Sequence, residues 1–494
     1  MFKTITPEEA GVSSANVAKY ISLLQKRGVR IHGLLMLKDG KIFCEEYWKP
    51  FHKDFQHRMY SQTKSFVGVA IGLLEEEGKL SLDDKIVDYF PEKMDGEVQE
   101  HHKTQTIRDM LTMSTAGGSS SWFVSGDPDR THQYFNEKRA LHTPGTLWAY
   151  DSPGSQVLCS LVEKLSGKTL LAYMKEKLFN EMGAFQNAIV LQAPNGDSWG
   201  DSAMICTPRD MAAFGLFVMN YGVWNGKRLM NEKYLREATS KIVDNRMDGY
   251  YSVYRQGYGY QFWRVDGNGF ACVGMGNQLT VCYPDKGLIL VTTADSQGVT
   301  VERQLIIGAF EDIIVDECAD SALPANEAAQ EKLKAVTADL RLYEIKGLED
   351  SPFRKELNAQ EYVCEENPMG ITKFSFVFDD EKTGEFRYTN AQGDKVIPFG
   401  VNHNVFGKFP QLGYSRERGA VPTTDGFMYD DAVSFAWLEE NKLMLYVQII
   451  DQYFGNLSAT FAFKGEAAHA RFTKAAEAFL GEYQGGLTAY KVNK

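Results

Sequence analysis

Tyr60-Ser61-Gln62-Thr63-Lys64-Ser65-Phe66-Val67-Gly68-Val69-Ala70-Ile71-Gly72-Leu73-Leu74 is the stretch from which the rest of the chain can be read. From Phe66 to Leu74 apolar residues fall on nearly every face, which predicts a centrally buried helix that Gly78 stops. Ser61 at its head has an ordinary reading as an N-cap. A capping box would then want Glu or Gln three residues on, and Lys64 stands there instead. A cation in the first turn opposes the helix dipole, and burial strips its hydration. Both effects suit a lysine to general-base chemistry, and the i, i+3 spacing puts it on the face of the Ser61 hydroxyl. A local rule broken at the head of a buried helix points to function.

Downstream, Thr143-Pro144-Gly145-Thr146-Leu147-Trp148-Ala149-Tyr150 reads as a turn and a short strand. Asp151-Ser152-Pro153 then opens a helix whose apolar stripe is Val157, Leu158, Leu161, Val162 and Leu165, ended by Gly167. Tyr150 therefore sits on a loop just before a helix, where a phenol can face a cleft. Taken alone it would be a core tyrosine.

Together these segments resemble the serine β-lactamase and penicillin-binding-protein superfamily. The likeness is to the branch holding class C β-lactamases, D-aminopeptidases, esterases and 6-aminohexanoate-dimer hydrolases. Ser61-Gln62-Thr63-Lys64 matches its S-x-x-K motif, and Tyr150-Asp151-Ser152 matches Y-x-N with Ser for Asn. Leu80–Ile86, Thr106–Met113 and Thr207–Ala212 follow in the family's order, so the resemblance covers roughly residues 5–315. It implies Ser61 as nucleophile, with Lys64 and Tyr150 moving the proton and Ser152 bonding either the lysine or a substrate amide. The third motif, K-T-G or H-G-G in the family, corresponds to Gly274-Met275-Gly276-Asn277-Gln278. Here Met275 replaces the cation. The backbone amides of Ser61 and Gln278 can still form an oxyanion hole, with Met275, Gly276 and Asn277 lining the substrate. A thioether is no donor, so the carboxylate-gripping role does not carry over.

The remaining pattern predicts an α+β fold. A helix (Ser14 to Lys26) and a hairpin (Gly33–Leu37, Lys41–Cys44) open it. A second hairpin, Phe270–Val273 to Gly287–Val291, and a helix from Val301 to Val315 close it. The expectation is an antiparallel β-lactamase-like sheet flanked by helices, with an all-helical subdomain inserted, over residues 1–318. Residues 319–342 read as linker and connecting helix. Residues 343–494 alternate with period two, as in Phe374–Phe378, Ala432–Trp437 and Leu457–Phe463, which predicts an antiparallel barrel or sandwich. No nucleophile, base or oxyanion donor is evident in that part.

The 494 residues carry 53 basic and 65 acidic side chains, a formal charge of −12. An acidic surface without a basic run argues against nucleic acid. No stretch approaches the roughly 18 apolar residues of a membrane span, and the first residues lack a signal-peptide pattern. Seven dispersed cysteines read as reduced core thiols, so the expected compartment is the cytoplasm.

Several look-alikes are set aside. Lys382-Thr383-Gly384 follows Asp379-Asp380-Glu381 between alternating segments and reads as a hairpin turn. Gly196-Asp197-Ser198-Trp199-Gly200 spells G-x-S-x-G without the strand and helix an elbow needs. Gly167-Lys168-Thr169 lacks a P-loop's upstream glycine, and His101-His102 has no metal spacing. No metal or cofactor is expected. The reading is a serine hydrolase for a small ester, amide or peptide; Tyr258, Tyr260 and Trp263 each read first as core residues, with walling of the pocket as the alternative. A catalytically idle binding protein on the same fold and a penicillin-binding or D-aminopeptidase-type peptidase stay open, as does the oligomeric state.

Overall fold

The computed structural model describes residues 2–117, 127–137, 142–246, 253, 255–299, 301–416, 421–424, 426–477 and 479–492. The chain forms two compact units, Met1–Arg341 and Leu342–Lys494. The first is built on a seven-stranded sheet of Lys3–Thr4, Ile31–Lys38, Lys41–Tyr47, Trp263–Arg264, Phe270–Gly274, Gln278–Tyr283 and Leu288–Ala294. Its central pair joins the two ends of the unit: Ile31–Lys38 lies antiparallel to Leu288–Ala294, with Leu34 opposite Thr292.

Both faces of the sheet are covered, which is why its middle strands read as unbroken apolar runs. Leu35, Leu37, Cys272, Ile289 and Val291 face one core with Phe66, Ala70, Val157, Leu161 and Phe214 from helices Thr63–Glu76, Ser152–Ser166 and Pro208–Met219. The alternate residues Leu34, Met36, Ala271, Val273, Leu288 and Leu290 face the other, with Val17 and Ile21 of helix Ser14–Lys26 and Ile306 and Phe310 of helix Val301–Phe310.

Four expectations need correction. The sheet is mixed, because Lys3–Thr4 runs parallel to Lys41–Ile42. That edge strand is reached by a helical crossover and not a tight turn, so its direction is unconstrained by a hairpin. Phe270–Val273 and Gly287–Val291 do not pair with one another, since Gln278–Tyr283 lies between them. The sharp connection Met275–Asn277, with Gly276 and Asn277 at φ 73° and 70°, leaves room for that extra β-prone strand. Thr143–Tyr150 forms no strand. It is a looped segment held by Gly145 N to Ser114 O (2.8 Å) and Ala149 N to Met113 O (2.9 Å). The inserted subdomain is helical but also holds a three-stranded sheet of His57–Arg58, Met204–Cys206 and Ile189–Val190, and the small hairpin Val223–Trp224 with Lys227–Arg228.

The second unit is a barrel, not a sandwich. Nine strands close it: Tyr362–Cys364, Lys373–Phe378, Thr383–Asn390, Gly393–Val401, Asp430–Glu439, Lys442–Ile450, Phe454–Lys464, Ala467–Ala475 and Gly485–Lys491. The first strand pairs with the last, and closure comes where Gly400 and Val401 run parallel to Ser434 and Phe435. A side chain at Gly400 would strike the His403 carbonyl and ring, so the seam needs a glycine. Phe374, Phe376, Phe386, Phe399, Phe435 and Phe461 pack in edge, tilted and stacked pairs as its core. Lys382 lies in the bend of a hairpin, but Thr383 and Gly384, read from the sequence as part of that turn, already begin the returning strand. All seven cysteines are free and six are buried. Among the described residues no helix is long and apolar enough to cross a membrane.

Candidate active site

A single turn of 3-10 helix, Tyr60–Gln62, feeds the buried helix Thr63–Glu76. Tyr60 adopts φ 47°, a left-handed conformation that a bulky residue holds only under constraint. The constraint is visible. Thr63 Oγ1 donates to Tyr60 O (2.6 Å) and accepts from Met204 N (3.0 Å), while Met59 N donates to Met204 O (2.7 Å). On the other side Thr280 Oγ1 donates to Gln62 Oε1 (2.9 Å), and Gly274 approaches the Met59 carbonyl so closely that a Cβ would collide with it. Ser61 is thus gripped between two sheets.

Its hydroxyl caps nothing. The helix start makes no side-chain cap bond, and Ser61 Oγ instead accepts from Lys64 Nζ at 3.0 Å. Lys64 is 1% exposed. Its Nζ also donates to Asp201 O at 2.6 Å and lies 3.8 Å from Asp201 Oδ2. Lysine hydrogen bonds therefore go to Ser61 and Asp201 and not to Ser152, which stands half-buried at the first position of helix Ser152–Ser166.

Tyr150 is half-buried, its ring centroid 5.2 Å from Lys64 Nζ. It stacks on Trp263 (5.7 Å, 25°), and Trp148 and Tyr258 pack around the same tryptophan at 5.5 and 5.2 Å. Tyr258 and Trp263 thus join the aromatic cluster around Tyr150. Tyr260 does not: its hydroxyl bonds Glu237 Oε1 (2.6 Å) and meets Arg108, on the opposite core. Tyr258 sits in an isolated bridge with Val243 and Trp263 while Tyr260 lies in the bend that follows, so no common strand pleat relates their side chains.

At the third motif Met275 is half-buried, whereas Gly276, Asn277 and Gln278 are buried. The Gln278 side chain bonds Met275 O (3.1 Å) and Ala294 O (2.5 Å), so only its backbone is left for a cleft role. A cation does reach this turn, from the helix Val301–Phe310. Arg303 Nε donates to Asn277 Oδ1 (2.9 Å) and Nη2 to Gly274 O (3.3 Å), so two of its donors are committed to the turn itself.

Three further residues escape sequence reasoning. Asp201 lies one residue beyond the discarded G-x-S-x-G segment. Arg303 sits on a helix with no motif. Gln261 accepts from Ser65 Oγ (2.7 Å) and Ser155 Oγ (2.7 Å) and donates to Met110 O (3.0 Å) and Leu111 O (2.9 Å), tying the Lys64 helix to the helix after Tyr150. The close approach of Gly68 to the Tyr260–Gln261 backbone was the available signal. Among the described residues no group of His, Cys, Asp and Glu could hold a metal ion.

The family model described as Beta-lactamase matches residues 18–307. A 6-aminohexanoate-dimer hydrolase of Paenarthrobacter ureafaciens is 23% identical over 252 residues, 47% of this chain and 64% of that protein. Protein flp of Staphylococcus aureus strain MW2 is 23% identical over 168 residues, 31% of this chain and 33% of that one. The chain thus spans less than two thirds of either relative's length. Among solved structures, a penicillin-binding protein homologue from Caulobacter crescentus superposes with TM-score 0.51 at 16% identity, covering 61% of this chain and 97% of that one.

Proposed function

This chain belongs to the beta-lactamase family, and from that premise we propose that it is a serine hydrolase that cleaves a small ester or amide through an acyl-enzyme on Ser61. The observation that carries the reading is the 3.0 Å contact between Ser61 Oγ and Lys64 Nζ at the strained head of a buried helix. Nucleophile and base within hydrogen-bond reach are what acyl transfer requires.

In the proposed acylation the Ser61 Oγ–C bond forms as the carbonyl π pair moves onto oxygen, and the serine proton passes to Lys64. The new oxyanion is met by the backbone amides of Ser61 and Gln278. Collapse breaks the bond to the leaving group, which takes its proton from the Lys64 and Tyr150 pair. Water then repeats the sequence and frees the acid. Tyr258, Trp263 and Tyr150 offer an aromatic wall, and Met275 gives the third-motif side a neutral edge, which favours an uncharged substrate. Ser152 is available for a substrate amide. The name of the relative from Paenarthrobacter supports adding the 6-aminohexanoate dimer to the substrates tested.

Met275 is also what motivates the rival reading, a non-catalytic binding protein. Intact-mass analysis after exposure to a fluorophosphonate separates the two. One adduct is expected on the wild type and none on Ser61→Ala. An unlabelled wild type would favour the binding protein.

A further inference from the structure

We propose that Asp201 is a positioning residue for Lys64, the third member of a Ser61–Lys64–Asp201 line. The inference rests on Ser61 and Lys64 acting as proposed above. Asp201 is 3% exposed and reaches Lys64 twice, by its backbone carbonyl at 2.6 Å and its carboxylate at 3.8 Å. Behind it stands Arg130, 5% exposed, with Nη1 4.0 Å from Oδ1. Oδ1 has no hydrogen-bond partner among the described residues. A buried carboxylate kept between the Lys64 amine and the Arg130 guanidinium with an oxygen left unbonded is costly to fold, and such groups concentrate where charge is used.

The loop that carries it is built for this placement. Gly200 packs on Cys159 of the helix Ser152–Ser166 where no side chain would fit. Gln156 of the same helix donates to Ser198 O (2.8 Å) and accepts from Gly200 N (2.9 Å). Trp199, 1% exposed, lies under the guanidinium groups of Arg130 (4.2 Å) and Arg58 (4.7 Å). Arg58 in turn bonds the Ser202 carbonyl and hydroxyl, both at 2.9 Å. Residues 198–202 are therefore clamped on both sides of Asp201.

The chemistry follows from what changes during acylation. The proton leaves Ser61 Oγ as the Oγ–C bond forms, and it arrives on Lys64 Nζ. The ammonium so created faces the Asp201 carboxylate, and when the leaving group takes the proton that attraction is released. A fixed charge aimed at one that develops in the reaction lowers the barrier without tightening substrate binding. The order nucleophile, base, orienter is the triad logic with a lysine at its centre.

Asp201→Asn keeps the shape and the backbone carbonyl and removes only the charge. For p-nitrophenyl butyrate we expect kcat to fall roughly 10- to 100-fold with KM changed by less than about twofold, and the fluorophosphonate labelling rate to fall with kcat. A merely structural aspartate would alter unfolding and leave kcat of the folded protein unchanged, and that result would overturn the inference. Should loss of the Asp201 charge beside Arg130 prevent folding, the double variant Asp201→Asn with Arg130→Gln removes both charges. It should fold and show the same loss, and wild-type kcat in it would equally overturn the role of Asp201. A wild type that never labels fails the acyl-enzyme reading itself, and this inference with it.

Discussion

Replacing Gln261 by alanine should destabilise the N-terminal unit by about 3–5 kcal/mol, a figure that follows from counting what each of its partners keeps. Met110 O loses the Gln261 amide but retains Met113 N at 3.2 Å, and Leu111 O retains the backbone N of residue 261 at 3.0 Å. Ser155 Oγ can fall back on Asp151 O at 3.3 Å. No partner is orphaned, so each lost bond costs about 1 kcal/mol and not the full desolvation penalty. The emptied volume adds about 1–2 kcal/mol. Gln261→Gly loses the same bonds yet suits φ 65°. The left-handed strain it relieves, about 1–2 kcal/mol, outweighs or matches the extra freedom of an unfolded glycine, about 0.4–1 kcal/mol. The glycine variant should therefore be no less stable than the alanine one. Pulsed alkylation in urea with mass detection reads each unit separately, because Cys159 and Cys272 are buried in the first and Cys364 belongs to the second. The Cys364 transition should not move. An alanine variant that loses less than about 1 kcal/mol, or that is clearly more stable than the glycine variant, would refute the reasoning.

Other outcomes are equally open to measurement. Lys64→Ala and Tyr150→Phe should each lower ester turnover by about 10²- to 10⁴-fold, the scale of acid–base groups, and full activity in Tyr150→Phe would remove the phenol from the mechanism. Burial, helped by the neighbouring Asp430, pushes the Asp431 carboxyl in the barrel from 3.8 up to about 7. The native state then binds the extra proton between about pH 4 and 7, so this group's contribution to stability falls as pH rises through that window, by about 4 kcal/mol at most. Asp431→Asn should flatten the dependence and raise the urea midpoint of the barrel at pH 8, and an unchanged slope would contradict it. With Met275 in the place of the motif cation and two Arg303 donors committed to the turn, nitrocefin should be hydrolysed far more slowly than p-nitrophenyl butyrate. The missing charge-assisted bond is worth about 1.5–3 kcal/mol, roughly 10- to 100-fold, and the reverse order of substrates would undo the argument.

The parts of this molecule that sequence reveals are those in which a local rule carries the information. Ser61 and Lys64 are legible because helical spacing alone brings them together, and the barrel strands because burial alternates along Lys373–Phe378 residue by residue. Tertiary placement is not legible in this way. Asp201 sits in a run of Gly, Asp, Ser and Trp that reads as an ordinary polar loop, and tertiary contacts such as Gly200 on Cys159 and Gln156 on Ser198 and Gly200 bring it beneath Lys64. Gln261 takes a left-handed conformation that no glutamine advertises. Trp148 and Tyr150 look strand-forming by propensity, yet their segment packs its rings on Trp263 and leaves its backbone to bond a loop. The parallel seam at Gly400 depends on barrel curvature, which is not encoded in any short window.

The pairing of Leu34 with Thr292 has a consequence for how the chain is made. Partners about 260 residues apart must wait for one another, at a closure entropy of about 5 kcal/mol. On a ribosome adding about 5–20 residues per second, the helix Thr63–Glu76 emerges roughly 10–40 s before the strand Leu288–Ala294 that completes the sheet beneath it. Throughout that interval Phe66, Val67, Ala70, Ile71 and Leu74, all of them core residues of the finished protein, have no sheet to lie on. The barrel repeats the arrangement, since Tyr362 pairs with Lys491 at the far end of its own segment. Neither unit can be finished early. A nascent chain arrested before Ala294 should be a client for chaperones that bind apolar helices, and one released past it should not.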